Sequence, residues 1–283
     1  MGLSWSHVLG DAFSAFSFIT KWSRMLADHA PPKTLHFTDH KQIQSPPHNN
    51  GKDGSPISVK MASTVEDLWL PTNDTKMVTH TFHVTPNQIN HLVTSIFTCD
   101  QNQATKTSYF EILSALVWKH VARIRELEPK IVTVLTRGGE SDGFSTNNVV
   151  ISVVEADVAV GKSDVADLAK LIGEEKRVEN KVVEEWVEEK EGKENLVVYG
   201  GRLTFVDLEE DDIYEVELNG EKPMVVNCGV GGVGDDGVVL VLPGLQGEDE
   251  RSGRMVTVTL PEKEVEQLKE KLREEWGIHS LAF

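Results

Sequence analysis

This 283-residue sequence predicts an α/β fold, a mixed sheet with helices packed on it. Three observations lead there. The stretch "TSYFEILSALVWKHVARIREL" carries a capping box, Ser108 with Glu111, and places Leu113, Leu116, Val117, His120, Val121 and Ile124 on one helical face. Short runs rich in branched apolar residues, such as "KIVTVLTR", "GVVLVLPG" and "RMVTVTLP", read as strands. Helical and strand patterns interleave along the chain, which is the order that lays helices against a sheet.

Taken in order, residues 3–9, "LSWSHVL", read as a strand ending at Gly10. A helix follows from Asp11, with Ala12, Ala15, Phe16, Ile19, Trp22 and Leu26 at helical spacing and Asp11 or Gly10 as its cap. Residues 31–75 break all periodicity with prolines, glycines and asparagines and read as a crossover linker. "VTHTFHVTP" is a strand and "NQINHLVTSIF" a short helix. After the long helix come two strands, "KIVTVLTR" and "NNVVISVVEADV". Residues 163–191 read as helix with a narrow stripe of Val178, Val182, Val183, Trp186 and Val187. "NLVVYGGRLTFVDL", "IYEVEL", "PMVVNCGV", "GVVLVLPG" and "RMVTVTLP" are strands, and "EKEVEQLKEKLREEW" is a closing amphipathic helix.

The net charge is −17, and it is unevenly placed. Residues 1–150 balance 13 Lys/Arg against 13 Asp/Glu, so the whole excess lies in residues 151–283, where 15 face 32. Such a surface repels nucleic acid and anionic lipid. No apolar run reaches the roughly 20 residues of a membrane span, and no basic patch precedes an apolar stretch as in a secretory signal. The two cysteines, Cys99 and Cys228, form no metal-type pair, which suits a reducing, cytoplasmic setting.

Several motifs have bland explanations. His29, His36, His40 and His48 sit at irregular spacing in the linker and read as solvated, so no metal is expected. "GVGGVG" at 229–234 satisfies the dinucleotide pattern, but it leads into a strand and not a helix, so a glycine-rich turn is expected. "MGLSWS" matches a myristoylation pattern but runs on into the apparent strand. His120 reads as a satisfied core histidine and not as a ligand.

The remaining constellation is His7 and Asp11, an H-x-x-x-D. A neutral imidazole can take a proton from an attacking hydroxyl or amine, and Asp11 can tie down the turn that aims it. "GLSWSHVLGDAFSAFSFITKWS" resembles the strand, turn and helix around the HxxxD motif of the plant BAHD acyltransferases. "TSYFEILSALVWKHVAR", "VLTRGGESDGFSTNNVV" and "RMVTVTLPEKEVEQL" resemble further segments of that family, in order. "IYEVELNGEKP" falls where its DFGWGKP motif belongs.

The resemblance implies a chloramphenicol-acetyltransferase-like fold of two lobes around a channel. His7 would be the general base, Asp11 a structural partner, and Arg137 the candidate pair of Asp11. The co-substrate would be acyl-CoA, with an alcohol or amine acceptor and neither bound cofactor nor metal. Ala12 stands where the family has glycine. In Glu217, Leu218, Asn219, Gly220, Glu221, Lys222 and Pro223 only the closing Lys-Pro of DFGWGKP survives. This degenerate form resembles the Eceriferum (Glossy2-like) branch. That branch implies a monomer that assists a 3-ketoacyl-CoA synthase in very-long-chain acyl elongation for cuticular wax. It would reach the endoplasmic reticulum through its partner.

The family's motif closes a first lobe, whereas only six residues precede His7 here. Residues 1–30 are therefore expected to be a remnant of that lobe, residues 76–283 the second lobe, and the chain either an incomplete gene product, the favoured reading, or a shortened paralogue reduced to the second lobe. The readings are an elongation accessory, an active acyltransferase, or a non-functional fragment.

Overall fold

A computed structural model describes residues 1–27, 55–62, 76–98, 105–138, 149–190, 195–211, 213–245 and 253–281. Its strands are β1 (Lys60–Ala62), β2 (Met77–Val84), β3 (Ile131–Arg137), β4 (Val149–Glu155) and β5 (Arg177–Val178), then β6 (Asn195–Val197), β7 (Leu203–Asp207), β8 (Val238–Pro243), β9 (Arg254–Pro261) and β10 (His279–Ser280). The helices are α1 (Ala12–Leu26), α2 (Pro86–Ile96), α3 (Tyr109–Ile124), α4 (Val165–Glu174), α5 (Asn180–Glu189) and α6 (Glu262–Trp276). An eight-stranded sheet runs β10-β2-β9-β8-β7-β3-β4-β5, and β1 pairs with β6 in a separate ribbon. The sheet is mixed: β3–β7 and β7–β8 are parallel and its other pairs antiparallel.

Alternation along each strand gives the sheet two apolar faces. Val132, Val134, Leu203, Phe205, Val239, Val241, Val256 and Val258 form one core with α3, α4 and α6. Leu135, Val206, Leu240, Leu242 and Met255 form a second core with Phe13 of α1 and with Ile213 and Tyr214. The α3 capping box is present: Ser108 and Glu111 bond each other's backbone N–H. Trp118 is fully buried, and its indole donates to Pro129 O.

Several elements differ from the sequence expectation. Residues 3–9 are not a strand. His7–Leu9 form a 3₁₀ turn in which Leu9 N donates to Ser6 O, and Trp5 donates to Gly10 O at 3.0 Å. Local bonds replace a ladder, and Leu3 and Leu9 are exposed. The stretch 163–191 is two helices, because the sheet edge captures the chain between them. β5 pairs with β4, Glu179 N donates to Ile151 O, and the Asn180 side chain bonds Ile151 N and Val149 O, each at 2.8 Å.

"IYEVEL" is a 3₁₀ turn at Ile213–Glu215 followed by a tight reversal, in which Asn219 (φ 55) and Gly220 (φ 82) supply the left-handed conformations of a two-residue hairpin turn. "PMVVNCGV" is irregular; Val226, Cys228 and Val230 cover the second core. The stretch 229–234 likewise forms no helix. His120 is buried, but neither ring nitrogen has a hydrogen-bond partner among the described residues, so it is not satisfied; Glu275 lies 3.9 Å away. Cys99, the linker histidines and residues 144–148 lie outside the described residues.

The segment 55–62 is fastened to the sheet by one carboxylate. Glu179 accepts from Ile57 N at 3.1 Å and Ser58 N at 2.8 Å, and Thr133 Oγ1 donates to Ser58 O. Replacing Glu179 by alanine leaves two covered donors without a partner. Urea unfolding should show a loss on the order of 3 kcal/mol, with Glu179→Gln losing less because it keeps an acceptor.

Half-buried Asp207 and buried His120 titrate in opposite senses. Burial pushes Asp207 up to about 6 from 3.8, aided by Glu209 and Glu210 and opposed by the Glu209 backbone bond and Lys176. Burial pushes His120 down to about 4 from 6.5, opposed by Glu275 and aided by Arg123, Lys119 and Lys271. As pH falls from 6.5 towards 4, folded Asp207 takes up its proton before the unfolded chain does, which adds stability. Over the same window the unfolded chain protonates its histidine first, which removes stability. Asp207→Asn should therefore steepen the acid-side loss of stability relative to wild type, and His120→Gln should flatten it. Urea midpoints between pH 6.5 and 4 read both slopes.

Candidate functional site

Sequence placed a base and its support within five residues, and the local backbone keeps them apart. His7 opens the 3₁₀ turn and is exposed. Gly10 then adopts φ 147, ψ 173, a region open in practice to glycine alone. Asp11 follows as the N-cap of α1. Its Oδ1 accepts from Ser14 N at 2.8 Å and Ser14 Oγ at 2.9 Å. Asp11 is 1% exposed, and its Oδ2 has no hydrogen-bond partner among the described residues. Its hydrogen bonds thus fix the helix start and do not reach His7.

The expected pair of Asp11 with Arg137 is not formed. Arg137, at the end of β3, is ion-paired with Asp211, and its guanidinium lies over the Phe13 ring at 5.3 Å. Asp211 is buried beside the 3₁₀ turn at 213–215, so it offers Arg137 a charge with little competing water. Asp11 is already engaged by Ser14.

The residue that sequence reasoning missed is Tyr199, in the connection between β6 and β7. Its ring meets the His7 imidazole edge-on, with centroids 5.0 Å apart and planes at 64°. The hydroxyl is shut off from solvent and has no partner among the described residues. Burial first, then the charges of Asp11 and Cys228, push the phenol up and keep it protonated. Burial also pushes the Cys228 thiol up to about 11, so it is no nucleophile at neutral pH. Nothing in the spacing of "VVYGGR" connects it to residue 7; the sheet brings them together.

The segment Glu217, Leu218, Asn219, Gly220, Glu221, Lys222 and Pro223 is a partly exposed reversal. Leu218 and Glu221 exchange backbone bonds, and Lys222 Nζ pairs with Glu215 at 2.8 Å. Among the described residues no hydrogen bond or ion pair joins this segment to His7. Nor does any described group of three or more His, Cys, Asp or Glu side chains form a metal-holding cluster.

The site thus stands on a mixed eight-stranded sheet with helices packed against one face. The chain is similar to the Fusarium graminearum TRI101 crystallised with coenzyme A and deoxynivalenol, with a TM-score of 0.68 at 13% identity over 98% of this chain and 66% of that one. It is also similar to vinorine synthase, with a TM-score of 0.55 at 14% identity over 95% of this chain and 60% of that one. A match to the Transferase family runs over residues 1–275, and the chain belongs to that family, the BAHD acyltransferases.

Relatives within it include Protein ECERIFERUM 2 of Arabidopsis thaliana, 39% identical over 96% of this chain, and Protein ECERIFERUM 26, 35% identical over 95%. The chain spans 61% of the length of each.

The Asp11 cap sets the start of α1 and so the turn bearing His7. Asp11→Ala should lower stability by about 1 kcal/mol, and Asp11→Ser, which keeps a capping oxygen, should recover most of it. Paired thermal melts of the two variants measure the difference.

Proposed function

We propose that this chain acts in the extension of very-long-chain acyl groups for cuticular wax, as an accessory to a 3-ketoacyl-CoA synthase. The observation that carries this reading is the likeness to the Eceriferum proteins along 95–96% of the chain. The altered 217–223 segment supports it. The tryptophan of the family motif is absent, and Lys222 is engaged by Glu215 at the surface. An acyl-CoA is the ligand this reading implies, supported by the coenzyme A bound to TRI101 on the same fold. No helix among the described residues is long and apolar enough to cross a membrane. The reading therefore assigns contact with the endoplasmic reticulum to the partner enzyme.

A second reading is an active acyl-CoA-dependent O- or N-acyltransferase, favoured by the exposed His7 ahead of the Asp11-capped helix. In it His7 takes the proton of an acceptor hydroxyl or amine, whose lone pair attacks the thioester carbonyl. The carbon–sulfur bond breaks, and coenzyme A leaves as a thiolate that recovers the proton from the imidazolium.

The two readings diverge at one side chain. Co-expression with a plant 3-ketoacyl-CoA synthase in a heterologous host, with acyl chain lengths read by gas chromatography, separates them. Under the accessory reading wild type lengthens the products and His7→Ala does so equally. Loss of lengthening in His7→Ala supports the enzymatic reading, and no lengthening by wild type removes the accessory one.

A further inference from the structure

The glycine-rich stretch at 229–234 has no place in nucleotide binding, yet its last residue bears on His7. Gly234 N donates to Tyr199 O at 3.0 Å, and Asp236 N donates to Gly200 O at 3.2 Å. Gly200 N donates in turn to Thr204 Oγ1 at 3.1 Å. The two glycines meet backbone to backbone. A Cβ on Gly234 would run into the Gly200 carbonyl, and one on Gly200 into the Gly234 backbone and the Val233 side chain. Gly200 also has φ +77, which a side chain would strain. This interlock leaves the backbone of Tyr199 little freedom, and Val198, Tyr199 and Val233 pack together on the second core.

An exposed histidine turns freely about two side-chain bonds, and a base must present one ring nitrogen in one direction. The His7 ring makes no hydrogen bond among the described residues, and the Tyr199 ring stands against it. Edge-on contact at 5.0 Å lies within the favourable range for two aromatic rings. The phenol, kept neutral by burial and by neighbouring negative charge, adds no competing charge beside the imidazole.

We propose that Tyr199 is a positioning residue for His7, held in place by the backbone interlock of Gly200 and Gly234. Its consequence for turnover rests on the reading of His7 as a base; the contact itself does not.

The test compares wild type with Tyr199→Phe, Tyr199→Leu and Gly234→Ala. Nuclear magnetic resonance of histidine-labelled protein reads the His7 ring protons, assigned by their disappearance in His7→Gln. The ring-current displacement should persist in Tyr199→Phe, vanish in Tyr199→Leu and fall by about half or more in Gly234→Ala. Identical His7 resonances in wild type and Tyr199→Leu would overturn the proposal. That comparison decides the matter even where Gly234→Ala fails to fold.

Acyl transfer from an acyl-CoA supplies the second readout. In Tyr199→Leu kcat should fall roughly tenfold to a hundredfold with KM little changed, and the phenylalanine variant should recover most of that loss. An equal loss in Tyr199→Phe would overturn positioning by the ring. No transfer by wild type would remove the reading of His7 as a base, and the resonance comparison would then stand alone.

Discussion

The strands β7 and β8 must be dry on both faces. They run parallel at the centre of the sheet, and residues from each enter both cores: Phe205 and Val239 on one side, Val206 and Leu240 on the other. Parallel strands of this kind need cover on both sides. On the first face α3, α4 and α6 provide it. On the second there is no comparable helical layer among the described residues. Cover comes from Phe13 of α1, the 213–215 turn, and irregular chain at 198–199 and 226–233. That thinner layer contains Tyr199, and Asp211, the partner of Arg137, is buried beside its 213–215 turn. Tyr199 is therefore part of what closes the second core, while His7 stays exposed outside it.

Irregular cover also explains the polar seams on that face. Thr79 faces Thr259 and Thr81 faces Thr257 across β2 and β9, with hydroxyls 2.9 and 3.0 Å apart. Thr81 then donates to Asn227 at 3.1 Å. A helix carpeting this region would ask for apolar residues at those positions. A loop brings its own backbone and side-chain polar groups, and the threonines give them partners. "PMVVNCGV" thus has the composition of a strand and the role of a lid on the sheet. Val226 and Val230 answer to the second core and Asn227 to Thr81, so its hydrogen bonds are not those of a ladder.

The legible parts of the sequence were those whose signal is local. The Ser108–Glu111 box lies within one turn and fixes α3 regardless of the rest. β8 and β9 are unbroken apolar or alternating runs that no other structure accommodates. "LSWSHVL" has the same alternation, but a strand also needs a neighbour with free backbone groups, which sequence does not display. Residues 163–191 had helical spacing throughout, and the break at 175–179 came from a distant strand edge. β10 is two residues long, below what any pattern resolves. Arg137 was expected to pair with Asp11, but its partner lay in the run Glu209, Glu210, Asp211. Which of those acids is buried against β3 is a tertiary fact.

The same distinction bears on His7. The H-x-x-x-D spacing names two residues and says nothing of what stands between them. Here the intervening Gly10 turns the chain so sharply that Asp11 is buried as a helix cap while His7 remains outside. The aspartate then serves α1 whether or not the histidine serves chemistry. A motif of this kind can stay intact in a protein that has ceased to catalyse, because half of it is still needed to start a helix.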